Sequence, residues 1–326
     1  MTDGWRLIVR KHGGPEVIER EDFPIPAPGE GEVLIAHEAI GLNFIDTYVR
    51  TGLYPSALPV GLGAEAAGTV LAVGPGVESF ASGDRVAYVG GAHGSYATHR
   101  IMPANRMLKL PDLISCETAA ATSLKGMTAC FLAEDCAKME SRQTALVHAA
   151  AGGVGSILVP WLASMGVTVI AHSGSEEKAA RAKAAGATHS LSGPFDTLAA
   201  QVRDLTDGKG VNVSFDGVGK ASWDASLASL KTRGLLITYG NASGPVPPVD
   251  ILSLSRGGSL FVTRPTLFDY VREDADLQRL GARLFDQIAK GVVKADINQR
   301  FGLADAAEAH RALEARETTG STILIP

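Results

Sequence analysis

His148-Ala149-Ala150-Ala151-Gly152-Gly153-Val154-Gly155 follows the short apolar run 144–147 and opens a segment with apolar Val154, Ile157, Leu158, Trp161, Leu162 and Met165. A strand, a glycine-rich turn and a helix start in that order make a dinucleotide-binding turn. The glycines let the backbone approach a pyrophosphate, and the free N–H groups of the helix's first turn face its negative charge. The first glycine of the G-x-G-x-x-G pattern is Ala150 here. Taken alone, a plain surface turn between strand and helix also accounts for the stretch.

The surroundings of this turn extend the pattern. Apolar strands are expected at 145–147, 167–171, 211–215, 235–239 and 259–263, with helical patterns at about 153–165, 175–185, 197–206 and 220–230. Such alternation predicts a parallel sheet covered on both faces. Gly186 fits a helix C-cap, whereas Pro160 removes an interior N–H and is expected to kink the first helix. The first ~120 residues differ: Gly and Pro punctuate short runs, with candidate strands at 32–37, 68–73 and 84–89, as in a compact β-rich domain. A helix interrupted by Gly126 follows at 117–133. The tail carries helical segments at roughly 274–290 and 304–315 and an apolar run at 321–325, which is suited to pair back into the first domain's sheet and leave the nucleotide domain as an insertion.

Composition bounds the function. The 326 residues are 45% hydrophobic and 20% charged, ordinary globular values that rule out disorder. Thirty basic against 35 acidic side chains leave a net charge of -5, which argues against a general nucleic-acid surface while leaving room for a local patch. No apolar run reaches the ~18 residues that span a bilayer. Met1-Thr2-Asp3-Gly4-Trp5-Arg6 lacks a basic segment followed by an apolar one, so no secretory signal is expected and the cytoplasm is the expected compartment. Cys116, Cys130 and Cys136 are scattered and odd in number. They fit buried small apolar residues in a reducing compartment, and neither a disulfide framework nor a cysteine zinc site.

In an open α/β sheet, ligands bind outside the carboxyl ends of the strands. Each expected strand here ends in small or polar residues: 149–155, 172–174, 216–219, 240–243 and Arg264. A turning role explains each glycine singly, but not all five ends together. At the second end an NAD site usually places an acid about 20 residues past the glycines. This chain has His172, Ser173, Gly174 and Ser175 there, with Lys178 nearby. Hydroxyls and a cation suit a 2′-phosphate, so NADP is favoured over NAD; a solvated helix lysine is the plain alternative for Lys178. In the first domain Asn43 and Asp46 are three apart and share one face of a helical turn. Tyr54 has a phenol suited to hydrogen-bond a substrate carbonyl or donate a proton, the plain alternative being an aromatic packed on Pro55. Lys125 sits in an otherwise apolar helix and needs a charged partner or a phosphate, unless its stem carries the ammonium to solvent.

These residues resemble a known group. Gly63-Ala64-Glu65-Ala66-Ala67-Gly68, Gly83-Asp84-Arg85-Val86 and 150–155 follow the medium-chain dehydrogenase/reductase pattern. Asn43-Phe44-Ile45-Asp46-Thr47-Tyr48, Arg50-Thr51-Gly52-Leu53-Tyr54-Pro55, Gly240-Asn241-Ala242-Ser243-Gly244, Val262-Thr263-Arg264-Pro265 and the end 320–326 are similar to its zinc-independent quinone oxidoreductase branch, the zeta-crystallin relatives. The resemblance runs essentially end to end. It implies an α/β fold: a GroES-like β-rich substrate domain, 1–124 plus 268–326, and an inserted Rossmann domain with a doubly wound parallel sheet, 125–267. It further implies NADPH as donor, a homodimer, and a substrate held between the domains beside the nicotinamide.

By the same resemblance Asn43, Asp46, Tyr54, Lys125 and Thr128 line the nicotinamide and substrate site. Gly152, Gly153, Val154 and Gly155 hold the pyrophosphate. Ser173, Gly174 and Lys178 hold the 2′-phosphate, and Gly217, Tyr239, Gly240, Asn241, Arg264 and Arg316 contact the rest of the cofactor. Zinc alcohol dehydrogenases of this superfamily carry a cysteine where Asn43 stands and a histidine where Ala64 stands, so no metal is expected here. An acceptor that takes hydride without a Lewis acid then suits the site, a quinone first and an activated alkene second. The alkene requires a proton on carbon, with Tyr54 the first candidate. A non-enzymatic NADPH-binding role, structural or RNA-binding, is the third possibility, although the sequence has no basic stripe. One departure stands out: relatives tend to have a tyrosine near the adenine where this chain reads Leu191-Ser192-Gly193-Pro194.

Overall fold

The structure is a computed structural model that describes residues 3–326; Met1 and Thr2, the start of the segment read for a secretory signal, lie outside the described residues. The chain divides into two compact units. One comprises the residues up to Met127 with Val271–Ala289 and Ala295–Pro326, the other Thr128–Tyr270 with Lys290–Lys294.

The second unit is built on six strands, all parallel: Thr144–His148, Thr168–Ser173, His189–Ser192, Val211–Asp216, Leu230–Thr238 and Phe261–Thr263. In chain order they lie third, second, first, fourth, fifth, sixth across the sheet, the doubly wound order with its switch point beside the first strand. The central strands are near-continuous apolar runs because helices cover both faces; Ala145, Leu146 and Val147 are fully buried. Leu146, Ile170, Leu198, Val202, Trp223 and Leu236 belong to one core cluster.

Several sequence expectations shift. Periodicity gives no sign of the strand His189–Ser192, because it is short, polar and half-buried at the sheet edge. The strand expected at 235–239 starts at Leu230, and its polar first half had masked it; the helix expected at 220–230 contracts to Trp223–Ala228. Pro160 does not end the helix Gly155–Ser164, which continues four residues past it. Gly186, at φ 109°, closes the helix Glu176–Ala184 in a Schellman motif, with Gly186 N–H on the Lys183 carbonyl and Ala187 N–H on that of Ala182.

The first unit carries a seven-stranded sheet. Its main path runs Ile297–Gly302, Ser321–Ile325, Glu32–Leu42, Glu65–Val73, Arg85–Val89 and Met107–Lys109, and His99–Pro103 also pairs with Glu32–Leu42. A three-stranded antiparallel sheet joins Ile18–Pro24, Asp3–Val9 and Val60–Gly61. The C-terminal run pairs antiparallel with the first-unit strand, Thr322 opposite Leu42 and Leu324 opposite Ile40. Ile35, Ile40, Val70, Tyr88, Tyr96 and Leu324 fill this unit's core. The helix Cys116–Cys130 is prolonged by a π-helical stretch, Phe131–Cys136. The three cysteines are free thiols, two buried and Cys136 half-buried. Among the described residues no helix is long and apolar enough to cross a membrane.

Candidate active site

The residues expected to act on ligands fall into two groups, one in each unit. In the second unit the chain leaves the strand Thr144–His148 through Ala149, whose φ of 49° is unusual for a residue with a Cβ. The helix begins at Gly155. A Cβ there would stand 2.4 Å from the Ala149 carbonyl oxygen, so only glycine lets helix and strand pack this closely. The N–H groups of Gly153, Val154 and Gly155 have no partner among the described residues. Three unpaired donors at a helix start are what a pyrophosphate needs.

The strand Thr168–Ser173 runs two residues further than expected, making Ser173 its last residue. Its hydroxyl is buried and has no hydrogen-bond partner. Gly174 follows with open space where a Cβ would point. Lys178 lies in the first turn of the next helix, where its N–H is capped by the Ser175 hydroxyl. His172 turns the other way: its Nε2–H donates to the Gly193 carbonyl at 3.0 Å and its ring packs on Phe195. Gly193 itself has φ 111°, a conformation in which the tyrosine of the relatives would be strained.

The fourth and fifth strand ends meet. Asp216 accepts hydrogen bonds from the N–H groups of Val218 and Gly219 and from Ser222 and Ser226, so it braces the loop that carries Gly217. A Cβ on Gly240 would fall 2.3 Å from the Gly217 carbonyl oxygen, and one on Gly217 would press on the Tyr239 ring. Gly217, Tyr239 and Gly240, with Asn241 next in sequence, are thereby brought together. Burial, aided by the Asp216 charge, pushes the Tyr239 phenol up. The Thr238 hydroxyl is buried without a partner, and Arg264 donates to the Thr238 carbonyl at 2.9 Å. Unpartnered Ser173 and Thr238 hydroxyls, three unpaired N–H groups and open space at Gly174 all lie at the strands' carboxyl ends. That set fits a phosphate-bearing dinucleotide.

In the first unit Asn43 is the N-cap of the helix Phe44–Thr51 and Asp46 its third residue. The Asp46 carboxylate accepts the Asn43 N–H at 2.9 Å, half of a capping box. The Asn43 amide donates to Glu65 at 2.7 Å, and the Lys125 ammonium lies 3.4 Å from the same oxygen. Asn43, Asp46, Glu65 and Lys125 are all buried. Tyr54 packs on Tyr48, ring centroids 5.2 Å apart, with its own N–H on the Tyr48 carbonyl. Thr128, the first residue of the second unit, follows Lys125 by one turn of the same helix and is buried. Arg316 is exposed and at φ 61°, just beyond the helix Ala306–Glu314.

A buried chain backs Asp46. Arg50 donates to His310 Nδ1 at 2.9 Å, which leaves the proton of a neutral imidazole on Nε2. That nitrogen donates to the Tyr96 oxygen at 3.1 Å, and the Tyr96 hydroxyl donates to Asp46 at 3.0 Å. Burial, with Arg50 beside it, drives His310 down to about 3. Burial drives Asp46 up to about 7, against the opposing Asn43 and Tyr96 hydrogen bonds. The chain ends in a guanidinium, which holds its protons, so it is a lock between two helices and not a proton wire.

Sequence reasoning passed over Glu65, although a signal existed. A lone carboxylate among Ala64, Ala66 and Ala67 needs a buried partner, by the same rule that singled out Lys125. Tyr96 and His310 carried no such signal.

Comparison with known proteins agrees with this geometry. Residues 153–284 match the family model described as zinc-binding dehydrogenase, and residues 29–112 the alcohol dehydrogenase GroES-like domain. Among the described residues no three His, Cys, Asp or Glu side chains converge as metal ligands. The chain is 47% identical over 322 residues to a quinone oxidoreductase of Pseudomonas aeruginosa, which covers 98% of this chain and 99% of that one. It is 38% identical over 327 residues to a 2-haloacrylate reductase of a Burkholderia species, 98% of each. The crystal structure of Escherichia coli quinone oxidoreductase complexed with NADPH matches with a TM-score of 0.95 at 42% identity, covering 99% of this chain and 100% of that one.

Proposed function

The chain belongs to the zinc-independent, zeta-crystallin-like quinone oxidoreductases of the medium-chain dehydrogenase/reductase superfamily, and from that premise we propose that it catalyses NADPH + H⁺ + quinone → NADP⁺ + hydroquinone. The observation that carries the donor half is the set of unpaired groups at the strand ends: N–H of Gly153, Val154 and Gly155, and the buried Ser173 hydroxyl.

The chemistry supplied by bound NADPH is hydride donation. The backbone from Gly152 to Gly155 binds its pyrophosphate, and Ser173, Gly174 and Lys178 its 2′-phosphate. Gly217, Tyr239, Gly240, Asn241, Arg264, Arg316 and Thr128 contact the remainder. Asn43 and Lys125 orient and polarise the acceptor carbonyl, and Asp46 holds Asn43 from behind through its N–H. Tyr54 borders the acceptor. Positioning does most of the work, and the proton that completes the hydroquinone comes from water.

The similarity to a 2-haloacrylate reductase favours activated alkenes as a second acceptor class, with Tyr54 as the proton donor to carbon. Steady-state rates with 1,4-benzoquinone, 9,10-phenanthrenequinone and an enal separate the two. Quinone turnover is expected to dominate; an enal turned over faster than either quinone contradicts the assignment. The compartment is the cytoplasm, and the chain acts as a homodimer without nucleic-acid or membrane partners. In support of the dimer, the strand Phe261–Thr263 ends the sheet with one side unpaired among the described residues, and Phe261, Ile251 and Leu252 are exposed. A second copy adding its own edge strand would pair with this edge and cover Phe261.

A further inference from the structure

Glu65 begins the strand Glu65–Val73 and has no exposed surface. One carboxylate oxygen accepts both the Asn43 amide, at 2.7 Å, and the Lys125 ammonium, at 3.4 Å. The other accepts the backbone N–H of Leu124 at 2.6 Å. Leu124 lies well inside the helix Cys116–Cys130, where a regular ladder sends that N–H to the Ala120 carbonyl. The carboxylate therefore grips the helix one residue before Lys125. Room for it comes from Gly41: a Cβ there would stand 2.2 Å from the Glu65 oxygen and 2.4 Å from the Ala120 oxygen.

We propose that Glu65 is a positioning residue for the acceptor site: it fixes the Lys125 ammonium and the Asn43 amide together, leaving two ammonium N–H groups for the acceptor's carbonyl oxygen. This rests on the quinone-reductase assignment above. The carboxylate is held by three donors, the Asn43 amide, the Leu124 N–H and the Lys125 ammonium, so its part is to fix the groups it holds. An ion pair that served stability alone would be a poor choice, since burying two charges seldom gains over an apolar pair. It would also give no reason for the carboxylate to engage a helix N–H. Lys125 has three N–H bonds, and Glu65 is its one partner among the described residues.

The test uses the full-length enzyme with saturating NADPH and 9,10-phenanthrenequinone, in Glu65→Gln, Glu65→Asp, Lys125→Met and the Glu65→Gln/Lys125→Met double variant. Glu65→Gln and Lys125→Met are each expected to lower kcat by about tenfold or more, with KM for the quinone changed less than about threefold, as for a lost transition-state contact. The double variant is expected to fall no more than about twofold below Lys125→Met, because Glu65 acts through the lysine. Glu65→Asp keeps the charge and is expected to recover part of kcat. Additive losses, or a change confined to KM, overturn the proposal. Urea unfolding of the cofactor-free variants reports the fold separately. If Glu65→Gln does not fold, Lys125→Met alone decides: wild-type kcat in that variant refutes the role given to the ammonium. A wild-type enzyme that reduces no quinone refutes the assignment of function instead.

Discussion

Replacing Asp46 by Asn should remove a specific pH dependence of stability. The folded carboxyl titrates at about 7 against an ordinary value of 3.8, chiefly because it is buried. Below the ordinary value both states hold the proton and the group contributes nothing. Above it the unfolded chain has lost a proton that the native state keeps, so stability falls as pH rises, until the native group also ionises near 7. The whole fall is about 4 kcal/mol, of which about 2 kcal/mol lies between pH 5.5 and 8.5. For a chain of this size unfolding as one, that is about 3 °C in Tm. Three buried histidines oppose this trend: His37 and His310 are driven down to about 3 and His148 to about 4 by burial. They cost stability as pH falls, because the unfolded chain then takes up protons that the native state does not. The comparison with Asp46→Asn cancels their contribution. Asn retains an oxygen to accept from Asn43 N–H and the Tyr96 hydroxyl. Differential scanning fluorimetry of both proteins across that range should show the variant gaining about 3 °C on the wild type as pH rises. A difference constant to within about 1 °C refutes the assignment of a raised Asp46 pKa and, with it, the electrostatic picture of the buried cluster.

Lys178→Ala is expected to raise KM for NADPH by about tenfold while hardly changing KM for NADH, since one charge-assisted phosphate contact is lost; equal effects in steady-state kinetics would count against the 2′-phosphate role. Gly155→Ala should cost about 1–3 kcal/mol, because the new Cβ lies 2.4 Å from the Ala149 oxygen; an unchanged Tm would refute the close-packing explanation of this glycine. Phe261→Asp, on an exposed edge residue, should convert the proposed dimer to monomer in analytical ultracentrifugation; a wild type that sediments as a monomer refutes the dimer, and a variant that stays dimeric moves the interface elsewhere.

Much of the second unit was legible in the chain because parallel strands covered on both faces must be apolar runs. The strands ending near His148, Ser173, Asp216 and Thr238 announce themselves this way. The strand His189–Ser192 did not, because an edge strand half open to water carries no apolar requirement. In the first unit the runs at 84–89 and 321–325 match the strands Arg85–Val89 and Ser321–Ile325, whereas those at 32–37 and 68–73 are only parts of longer strands. The stretch from Glu38 to Leu42 is broken by a charged residue and a glycine, and its pairing with Thr322 to Leu324 joins residues nearly 300 apart in the chain. The site divides the same way. The glycine turn and the Ser173 end follow from local order, since a strand end and a helix start fix where a ligand can sit. The partners of Asp46 do not, because Tyr96 and His310 reach it only through the tertiary fold. Glu65 lay between these cases, marked by its apolar neighbours but tied to Lys125 across 60 residues.

Cofactor preference tests the central assignment most directly. With 9,10-phenanthrenequinone as acceptor, kcat/KM is measured for NADPH and NADH at one ionic strength. An enzyme that uses the unpaired Ser173 hydroxyl and Lys178 for a 2′-phosphate should favour NADPH by about tenfold or more. A clear preference for NADH, or no oxidation of either cofactor by any quinone, would contradict NADPH-dependent quinone reduction as the function of this chain.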